Sequence, residues 1–256
     1  MKGDRKPGQF CWINMLTPQP AESRDFYTQL FGWTYEEIPG VGHIMVVQGH
    51  AIGGLFDLNA PTTPPGIPAH IGVMVKVESA DAVAEKTQAV GGTATPAMDI
   101  MDSGRMACCT DPTGARFDLW QPKTKPGTDV DTDLHGATSW FEIITTDPTR
   151  AAKFYGDLFG WTHETMPLPN AMEYTTFKLD GEFVGGMMKI VPQMGNVPPH
   201  WGVYFTVNDA DETARQATVL GAKICVPPTD IANVGRFCGI TSPQGVSFYA
   251  IKYVKR

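Results

Sequence analysis

The sequence contains no cluster of lysine or arginine, no long apolar stretch and little charge overall. Charged residues make up 18% of the 256 residues, and the formal net charge is −7. Because nucleic-acid binding depends on a basic face, this charge balance argues against that class of function. No apolar stretch approaches the roughly 20 residues that a membrane-spanning helix needs. The composition therefore predicts a globular protein with neither a nucleic-acid nor a membrane partner.

Cysteine is also scarce, and its spacing follows no disulfide or zinc pattern. The five cysteines form no CxxC pair, and an odd number cannot all be joined within one chain. The first seven residues lack the apolar core of a secretory signal peptide. Together these features predict reduced thiols and a cytoplasmic location.

Several common catalytic motifs are missing. The chain has no GxSxG nucleophile elbow, no GxxxxGK[ST] phosphate loop and no HExxH zinc motif. No glycine-rich dinucleotide fingerprint opens a parallel strand–helix unit. Any catalytic site in this chain must therefore use a different arrangement of residues.

What the chain does contain is an internal repeat. The phrase FYTQLFGWT at residues 26–34 returns as FYGDLFGWT at residues 154–162, an offset of 128 positions. Other recurring pairs are GG at 53–54 and 185–186, HIGV at 70–73 and HWGV at 200–203, and DPTG at 111–114 and SPQG at 242–245. A period this long indicates a duplicated domain rather than a solenoid. We assign domain 1 to residues 7–122, a linker to 123–136 and domain 2 to 137–256.

Each half divides into two units of strand, helix and further strands. Apolar and polar residues alternate over residues 10–17, which predicts a strand with Trp12 and Asn14 on one face and Ile13 on the other. A helix is predicted at about 20–31, because proline suits its first turn and Gly32 suits its end.

Paired units with these phrases resemble the vicinal oxygen chelate superfamily, which includes glyoxalase I, the bleomycin-resistance proteins and the extradiol dioxygenases. The resemblance rests on the helix ending FYxxLFGW, the strand HxGV and the turn DPxG, and it extends from Phe10 to Tyr253. It implies an α+β fold of two tandem glyoxalase-like domains. Each domain would be a pair of βαβββ units that form a cupped mixed sheet with helices outside. The chain is most similar to tandem two-domain glyoxalase-like proteins of bacteria.

The resemblance also implies where a metal would lie, because active members bind a divalent ion through four side chains in the cup. The positions that match three of these ligands hold Trp12 and Trp140, His70 and His200, and Asp118 and Tyr249. An indole offers no lone pair to a metal, and the remaining position falls among glycine, methionine, leucine and phenylalanine. We therefore predict no metal and no other cofactor, and a divalent metal at His70 and Asp118 is the alternative.

Residues that alternate onto the cup faces, or begin their strands, are ligand-binding candidates. They are Trp12, Asn14, His70, Trp140, His200, Tyr204, Tyr249, Arg105 and Arg236. The two tryptophans are either stacking surfaces for a ligand or packing residues in an unused cup. The two arginines are candidates for holding an anionic substrate, and structural salt bridges are the alternative.

Two functions from different classes remain open. The first is metal-independent binding or sequestration of a small molecule, in the manner of bleomycin-resistance proteins, because an indole wall suits a flat or apolar ligand. The second is a lyase or isomerase of glyoxalase type, in which Glu142 or Asp118 is the base and a histidine polarises the substrate oxygen. An extradiol dioxygenase is a distant third, because neither half supplies its His-His-Glu iron site. We expect a monomer or a homodimer, and the pattern leaves open whether units pair within a half or swap between halves.

Overall fold

The computed structural model describes residues 3–254 except 62, 64–65 and 169–171, so the assigned end of domain 2 lies outside the described residues. The first half forms a nine-stranded sheet and the second an eight-stranded sheet. The first sheet holds β1 (Phe10–Thr17), β2 (Thr34–Ile38), β3 (Gly42–Val47), β4 (His50–Asp57), β5 (His70–Lys76), β6 (Thr93–Ala94), β7 (Met98–Ile100), β8 (Gly104–Thr110) and β9 (Arg116–Pro122). The second holds β10 (Thr138–Thr145), β11 (Thr162–Pro167), β12 (Glu173–Leu179), β13 (Glu182–Lys189), β14 (His200–Thr206), β15 (Lys223–Ile231), β16 (Gly235–Thr241) and β17 (Ser247–Tyr253). The helices are α1 (Pro20–Phe31), α2 (Ala80–Ala89), α3 (Pro148–Phe159) and α4 (Ala210–Val219).

Both sheets have the same strand order, which confirms the predicted duplication and the α+β class. The first sheet runs β2-β3-β4-β1-β5-β9-β8-β6, and the second runs β11-β12-β13-β10-β14-β17-β16-β15. In each sheet the first strand pairs in parallel with the fourth and antiparallel with the fifth, so the sheet is mixed. The antiparallel pairs β1–β5 and β10–β14 join the two units of each half. Units therefore pair within a half and do not swap between halves.

The first helix of each half begins and ends as its residues predict. A proline occupies the first turn of both α1 and α3, where its missing N–H leaves no bond unmade. Asp147 also caps α3, because its side chain accepts from the backbone N–H of Arg150 at 3.0 Å. Gly32 and Gly160 end the helices at φ values of 71° and 74°, which are left-handed conformations that favour glycine.

The helix-covered backs of the two cups share one apolar core. The rings of Phe10 on β1 and Phe141 on β10 stack with centroids 4.2 Å apart. Tyr27 of α1 packs on Phe248 of the second sheet at 5.5 Å. On the other side, Tyr155 of α3 packs on Phe117 of the first sheet at 5.7 Å. Each half therefore completes its core with aromatic side chains from the other half.

The tryptophans of the repeated FGW phrase anchor this joint reciprocally. Trp33 donates its indole N–H to the carbonyl of Gly136, just before β10, at 2.9 Å. Trp161 donates to the carbonyl of Gly8, just before β1, at 2.8 Å. Both tryptophans are buried, so each indole N–H needs such a partner. The phrase that carries the family resemblance therefore serves the contact between halves, not the cup.

The linker is ordered and packs against both halves. Val130 is fully buried, and its carbonyl accepts from the Arg5 guanidinium at 2.6 Å. The Thr132 carbonyl accepts from the Thr206 hydroxyl at 2.5 Å, which ties the linker to β14. Among the described residues, no helix is both long and apolar enough to cross a membrane.

Candidate functional site

The cup of domain 1 is built on the central pair β1–β5. On β1, Trp12 and Asn14 are half-buried on the cup face, while Ile13 and Met15 are buried in the core behind the sheet. Trp12 packs against a small apolar cluster on its own face, formed by Cys11, Met74 and Trp120. The alternation predicted from the sequence therefore places the polar and indole side chains in the cup.

Gly72 lies at the centre of this cup and leaves its floor open. It is the register partner of Asn14. A Cβ atom added at Gly72 would lie 3.8 Å from Nε2 of His70 and 3.8 Å from Oδ2 of Asp118. Strands β5 and β9 lie parallel and adjacent, which brings the two side chains together. Gly72 itself is half-buried, whereas its counterpart Gly202 in domain 2 is buried.

His70 presents a bare nitrogen to the cup. Its Nδ1 lies 2.8 Å from the carbonyl of Pro68, and a carbonyl can only accept, so Nδ1 carries the proton. The neutral ring then has an unprotonated Nε2, the atom beside Gly72. Burial lowers the pKa of His70, and the Arg116 charge lowers it further, so the neutral form is favoured.

Asp118 is the acidic group of this cup. Burial raises its pKa to about 6, although a hydrogen bond from the Cys108 thiol and the charge of Arg116 oppose that rise. The carboxyl group is therefore largely ionised at neutral pH and protonated at mildly acidic pH. Burial also raises the pKa of the Cys108 thiol to about 12, which disfavours its thiolate form near neutral pH.

The cup of domain 2 holds a carboxyl group at the position equivalent to Asn14. Glu142 is only 4% exposed, and the hydroxyl of Tyr204 donates to its Oε1 at 3.0 Å. Tyr174 donates a second hydrogen bond to the same carboxyl group. Burial raises the pKa of Glu142, against the opposing effect of these two bonds. Trp140 in turn donates to the Tyr174 hydroxyl at 2.8 Å.

Tyrosine rings fill the floor of this second cup. Gly202 is the counterpart of Gly72, but a Cβ atom there would lie 2.8 Å from Cε2 of Tyr249. The Tyr249 ring stacks on Tyr204 with centroids 4.5 Å apart. The Tyr174 hydroxyl lies directly over Gly186. The two cups therefore differ, because one has an open polar floor and the other a closed aromatic one.

Tyr174 is a cup residue that the sequence reasoning missed. It reaches Glu142 because β12 pairs with β13, and β13 pairs with β10. The available signal was its alternation within residues 173–179, where it shares a strand face with Thr176. The counterpart strand β3 offers no hydroxyl at the matching position, so the repeat does not reveal it.

The candidate arginines form ion pairs with carboxylates of the covering helices. Arg105 binds Asp81, in the first turn of α2, at 2.8 Å, and Asp99 at 3.2 Å. Arg236 binds Asp211, in the first turn of α4, at 2.6 Å. Both guanidinium groups therefore link a strand to the helix that covers it. The salt-bridge alternative accounts for both residues.

His200 repeats the geometry of His70 at a filled cup. Its Nδ1 lies 2.8 Å from the carbonyl of Pro198, so its Nε2 is also bare in the neutral ring. Neither histidine in this state can donate a hydrogen bond to a substrate oxygen. The sequence-based role of polarising that oxygen is therefore not supported at either position.

The donors in these cups do not fit a divalent metal. Both first-strand positions carry indoles, and the Trp140 N–H is committed to Tyr174. Within the described ranges, no three or more His, Cys, Asp or Glu side chains are grouped as a metal site requires. His70 and Asp118 in domain 1 provide two ligands, and a catalytic zinc normally has three protein ligands.

A surface depression of about 370 Å³ lies elsewhere, where the N-terminal segment meets the linker. It is lined by Gly3, Asp4, His50, Asp129, Asp131 and Leu134. His50 contacts Asp129 there at 2.9 Å, and both side chains are solvent-exposed. Because it is shallow and lies outside both cups, this depression is not the candidate site.

Known proteins resemble this chain in sequence along both halves. The model of the Glyoxalase/Bleomycin resistance protein/Dioxygenase superfamily matches residues 9–119 and 138–248. CFP32 of Mycobacterium tuberculosis (strain CDC 1551 / Oshkosh), which bears a provisional glyoxylase name, is 36% identical over 98% of this chain and 97% of its own length. The anthracycline biosynthesis protein DnrV of Streptomyces peucetius is 31% identical over 96% of this chain and 94% of its own length.

Solved structures resemble it in fold. The 2,2',3-trihydroxybiphenyl 1,2-dioxygenase of Sphingomonas wittichii strain RW1 has a TM-score of 0.69 at 12% identity, covering 96% of this chain and 91% of its own. The Mn(II)-bound glyoxalase of Novosphingobium aromaticivorans has a TM-score of 0.66 at 13% identity, covering 100% of this chain and 84% of its own. Likeness at these identities concerns the fold alone.

Proposed function

Because this chain belongs to the Glyoxalase/Bleomycin resistance protein/Dioxygenase superfamily, we propose that it binds a small molecule in the cup of domain 1 without a metal. The fold itself does not decide the activity, since it carries enzymes and binding proteins alike. The names of the relatives do not decide it either, since one bears only a provisional glyoxylase name and another is named an anthracycline biosynthesis protein. The side chains in the two cups are therefore the relevant difference.

The observation that carries the proposal is the open floor at Gly72. His70 and Asp118 each place a polar atom 3.8 Å from the position of a Cβ at this half-buried glycine. The equivalent floor at Gly202 is occupied by the ring of Tyr249. Ligand pockets commonly combine a concave wall with a few convergent polar groups, and the polar atoms near Gly72 support such a site in the first cup.

A lyase or isomerase of glyoxalase type is the second candidate, and Asp118 favours it. A carboxyl group with a pKa of about 6 is well suited to take a proton from a carbon acid near neutral pH. The reaction also needs a group that stabilises the developing oxyanion. Neutral His70 cannot donate there, because its proton lies on Nδ1 toward Pro68. Losing one such donor typically costs about 3–4 kcal/mol in the transition state, so binding is the better supported function.

Glu142 is less suited than Asp118 to act as a base. It is buried and already accepts hydrogen bonds from Tyr174 and Tyr204. A substrate would have to displace these tyrosines before it reached the carboxyl group. We infer that Glu142 organises the closed cup of domain 2.

Ligand contact and metal content test the proposal together. Benzyl alcohol titrated into ¹⁵N-labelled protein, purified without a histidine tag, should shift the amide resonance of Gly72 and leave that of Gly202 unmoved. A shift confined to Gly202, or no shift at either glycine, would contradict the assignment. Elemental analysis of the same sample should show no stoichiometric nickel, zinc, manganese or iron.

Activity separates the two candidates. We expect turnover of methylglyoxal with glutathione to be absent or very slow, and unaffected by EDTA, since a metal Lewis acid contributes several kcal/mol to such a reaction. Rapid turnover that EDTA abolishes and Ni²⁺ or Zn²⁺ restores would favour the isomerase and place the metal ligands elsewhere. His70→Ala, compared with the matched His200→Ala, would then show which half carries it.

A further inference from the structure

We propose that the floor of the first cup selects ligands that donate hydrogen bonds, namely hydroxyl or protonated amino groups, and disfavours carboxylates and other oxyanions. This inference rests on the proposed function, since it concerns what the first cup binds. The three heavy atoms nearest to the position of a Cβ at Gly72 are the backbone oxygen of Asn14, Oδ2 of Asp118 and Nε2 of His70, and all three present lone pairs.

His70 contributes the first acceptor. Because its Nδ1 proton is directed at the carbonyl of Pro68, the Nε2 atom near Gly72 has a free lone pair. The Pro68 contact lies within two residues of His70, so this tautomer follows from the local chain and needs no ligand to select it. A ligand oxygen or nitrogen that carries hydrogen can donate to this atom.

Asp118 contributes the second acceptor. Its Oδ2 lies 3.8 Å from the position of a Cβ at Gly72, the same distance as Nε2 of His70. The Cys108 thiol donates to this carboxyl group. An ionised carboxylate has about four lone-pair sites, so it can accept further bonds from a ligand. A carboxylate on the ligand would instead meet a like charge.

Asn14 contributes the third acceptor. Its amide nitrogen is directed at the sulfur of Met74 at 3.4 Å, which leaves its carbonyl oxygen for the cup. That Oδ1 lies 3.2 Å from the position a Cβ would take at Gly54. Asn14 pairs with Gly54 on one side and with Gly72 on the other, so this oxygen lies beside the floor at Gly72, on the side of β4.

A cation lies on the same strand face as Asp118. Arg116 is exposed at the start of β9, and its charge acts on both His70 and Asp118. It alternates onto the cup face with Asp118, two residues further along the same strand. An anionic tail that extended out of the cup could therefore reach Arg116, while the floor would still require a donor.

The walls of the cup specify the rest of the ligand. Trp12 and its apolar cluster form one side. The ring of Phe56 covers Gly54 and forms another. A flat or apolar body between aromatic walls, with a hydroxyl or ammonium group at its end, satisfies both surfaces. A bound metal would impose the opposite polarity, because a cation on the floor attracts ligand oxygens with lone pairs.

Three probes that share one ring test this polarity on the full-length protein. Benzylamine, benzyl alcohol and benzoate present an ammonium, a hydroxyl and a carboxylate on the same aromatic body. Affinities are measured from the Gly72 amide shift at a pH above neutral. Benzylamine and benzyl alcohol should bind at least about tenfold more tightly than benzoate, because one charge-assisted hydrogen bond supplies a ratio of that size. Equal or tighter benzoate binding at Gly72 would overturn the inference and leave the proposed function standing. If no probe shifts Gly72, the proposed function itself fails.

Two variants and a matched control locate the effect. Asp118→Asn supplies an amide N–H at the floor, so it should weaken benzylamine and strengthen benzoate. Gly72→Ala should abolish binding of all three probes, because the added Cβ meets only atoms at 3.6–3.8 Å and fills the site without a clash. His200→Ala should leave every affinity unchanged. An unchanged preference in Asp118→Asn would count against the acceptor floor.

Discussion

The carboxyl groups of the two cups show how neighbours change the role of a residue. Asp118 is half-buried near Gly72 and receives a hydrogen bond from a thiol. Glu142 is enclosed by Tyr174 and Tyr204, which donate directly to it. Both have a raised pKa because burial penalises the charged form. Only Asp118 has unused acceptor capacity that a ligand can reach.

The raised pKa of Asp118 has a consequence for stability. A carboxyl group whose folded-state pKa lies above its unfolded value binds more protons in the folded state, so stability is lost as pH rises from about 4 to about 6. Asp118→Asn removes this loss. We expect the variant to exceed the original protein by about 2 kcal/mol in free energy of unfolding at neutral pH, and by much less at pH 4.

Urea unfolding of both proteins at the two pH values measures this difference. Arg116→Ala is a useful control, because loss of its charge should raise the Asp118 pKa further. If the difference between Asp118→Asn and the original protein does not depend on pH, the Asp118 pKa is not raised.

At the scale of strands, alternation predicts which residues share a face but not what covers them. The sequence predicted that Trp12 and Asn14 share a face of β1 because period-two patterning depends on that strand alone. Tyr174 escaped prediction because its place over Gly186 depends on the pairing of two later strands. The ion pair of Arg105 with Asp81 likewise depends on how α2 packs across the sheet.

The equivalent strands β5 and β14 offer a matched pair of glycine substitutions. Gly72→Ala adds a Cβ in ordinary van der Waals contact with its neighbours, so we expect a change in stability within about 0.5 kcal/mol. Gly202→Ala places a Cβ 2.8 Å from the Tyr249 ring, which stacks on Tyr204 and cannot turn aside freely. We expect this variant to lose about 1–3 kcal/mol.

Thermal unfolding monitored by circular dichroism measures both glycine variants. The loss of stability caused by Gly202→Ala should be smaller in a Tyr249→Ala background than in the original protein, because the ring that clashes with the Cβ is then absent. Equal losses from Gly72→Ala and Gly202→Ala would mean that the two floors are equally filled. The difference between open and closed cups would then not hold.

At the scale of the whole molecule, duplication has produced one folding unit with two cups. The repeated phrases identified the family because they recur in both halves, yet they lie at the joint between them. Tyr155 donates to Asp111 of the DPTG turn at 3.1 Å, which links α3 to the first sheet. A single half shows no partner for these groups, so sequence patterning alone could not place them across the joint.

This joint predicts that neither half is stable alone. A separate domain 1 would expose Phe10 and leave the N–H of Trp33 without its partner at Gly136. Exposing such aromatic side chains costs about 1.5–3 kcal/mol each, which is comparable with a large share of a domain's net stability. We expect residues 1–122 and 123–256 to be poorly folded or self-associated when expressed separately. Expressed together, they should assemble into a one-to-one complex with native circular dichroism.

Size-exclusion chromatography with light scattering distinguishes these outcomes. The contact responsible can be identified by introducing Trp33→Phe or Trp161→Phe into the co-expressed halves. Each substitution keeps an aromatic ring but removes one indole donor, leaving a buried carbonyl at Gly136 or Gly8 unpaired, so assembly should weaken by about 1–3 kcal/mol. The two losses should be similar, because the anchors are reciprocal. Stable monomers of both separate halves would show that each core is complete without the other. The shared aromatic core would then have evolved to orient the cups rather than to hold the fold together.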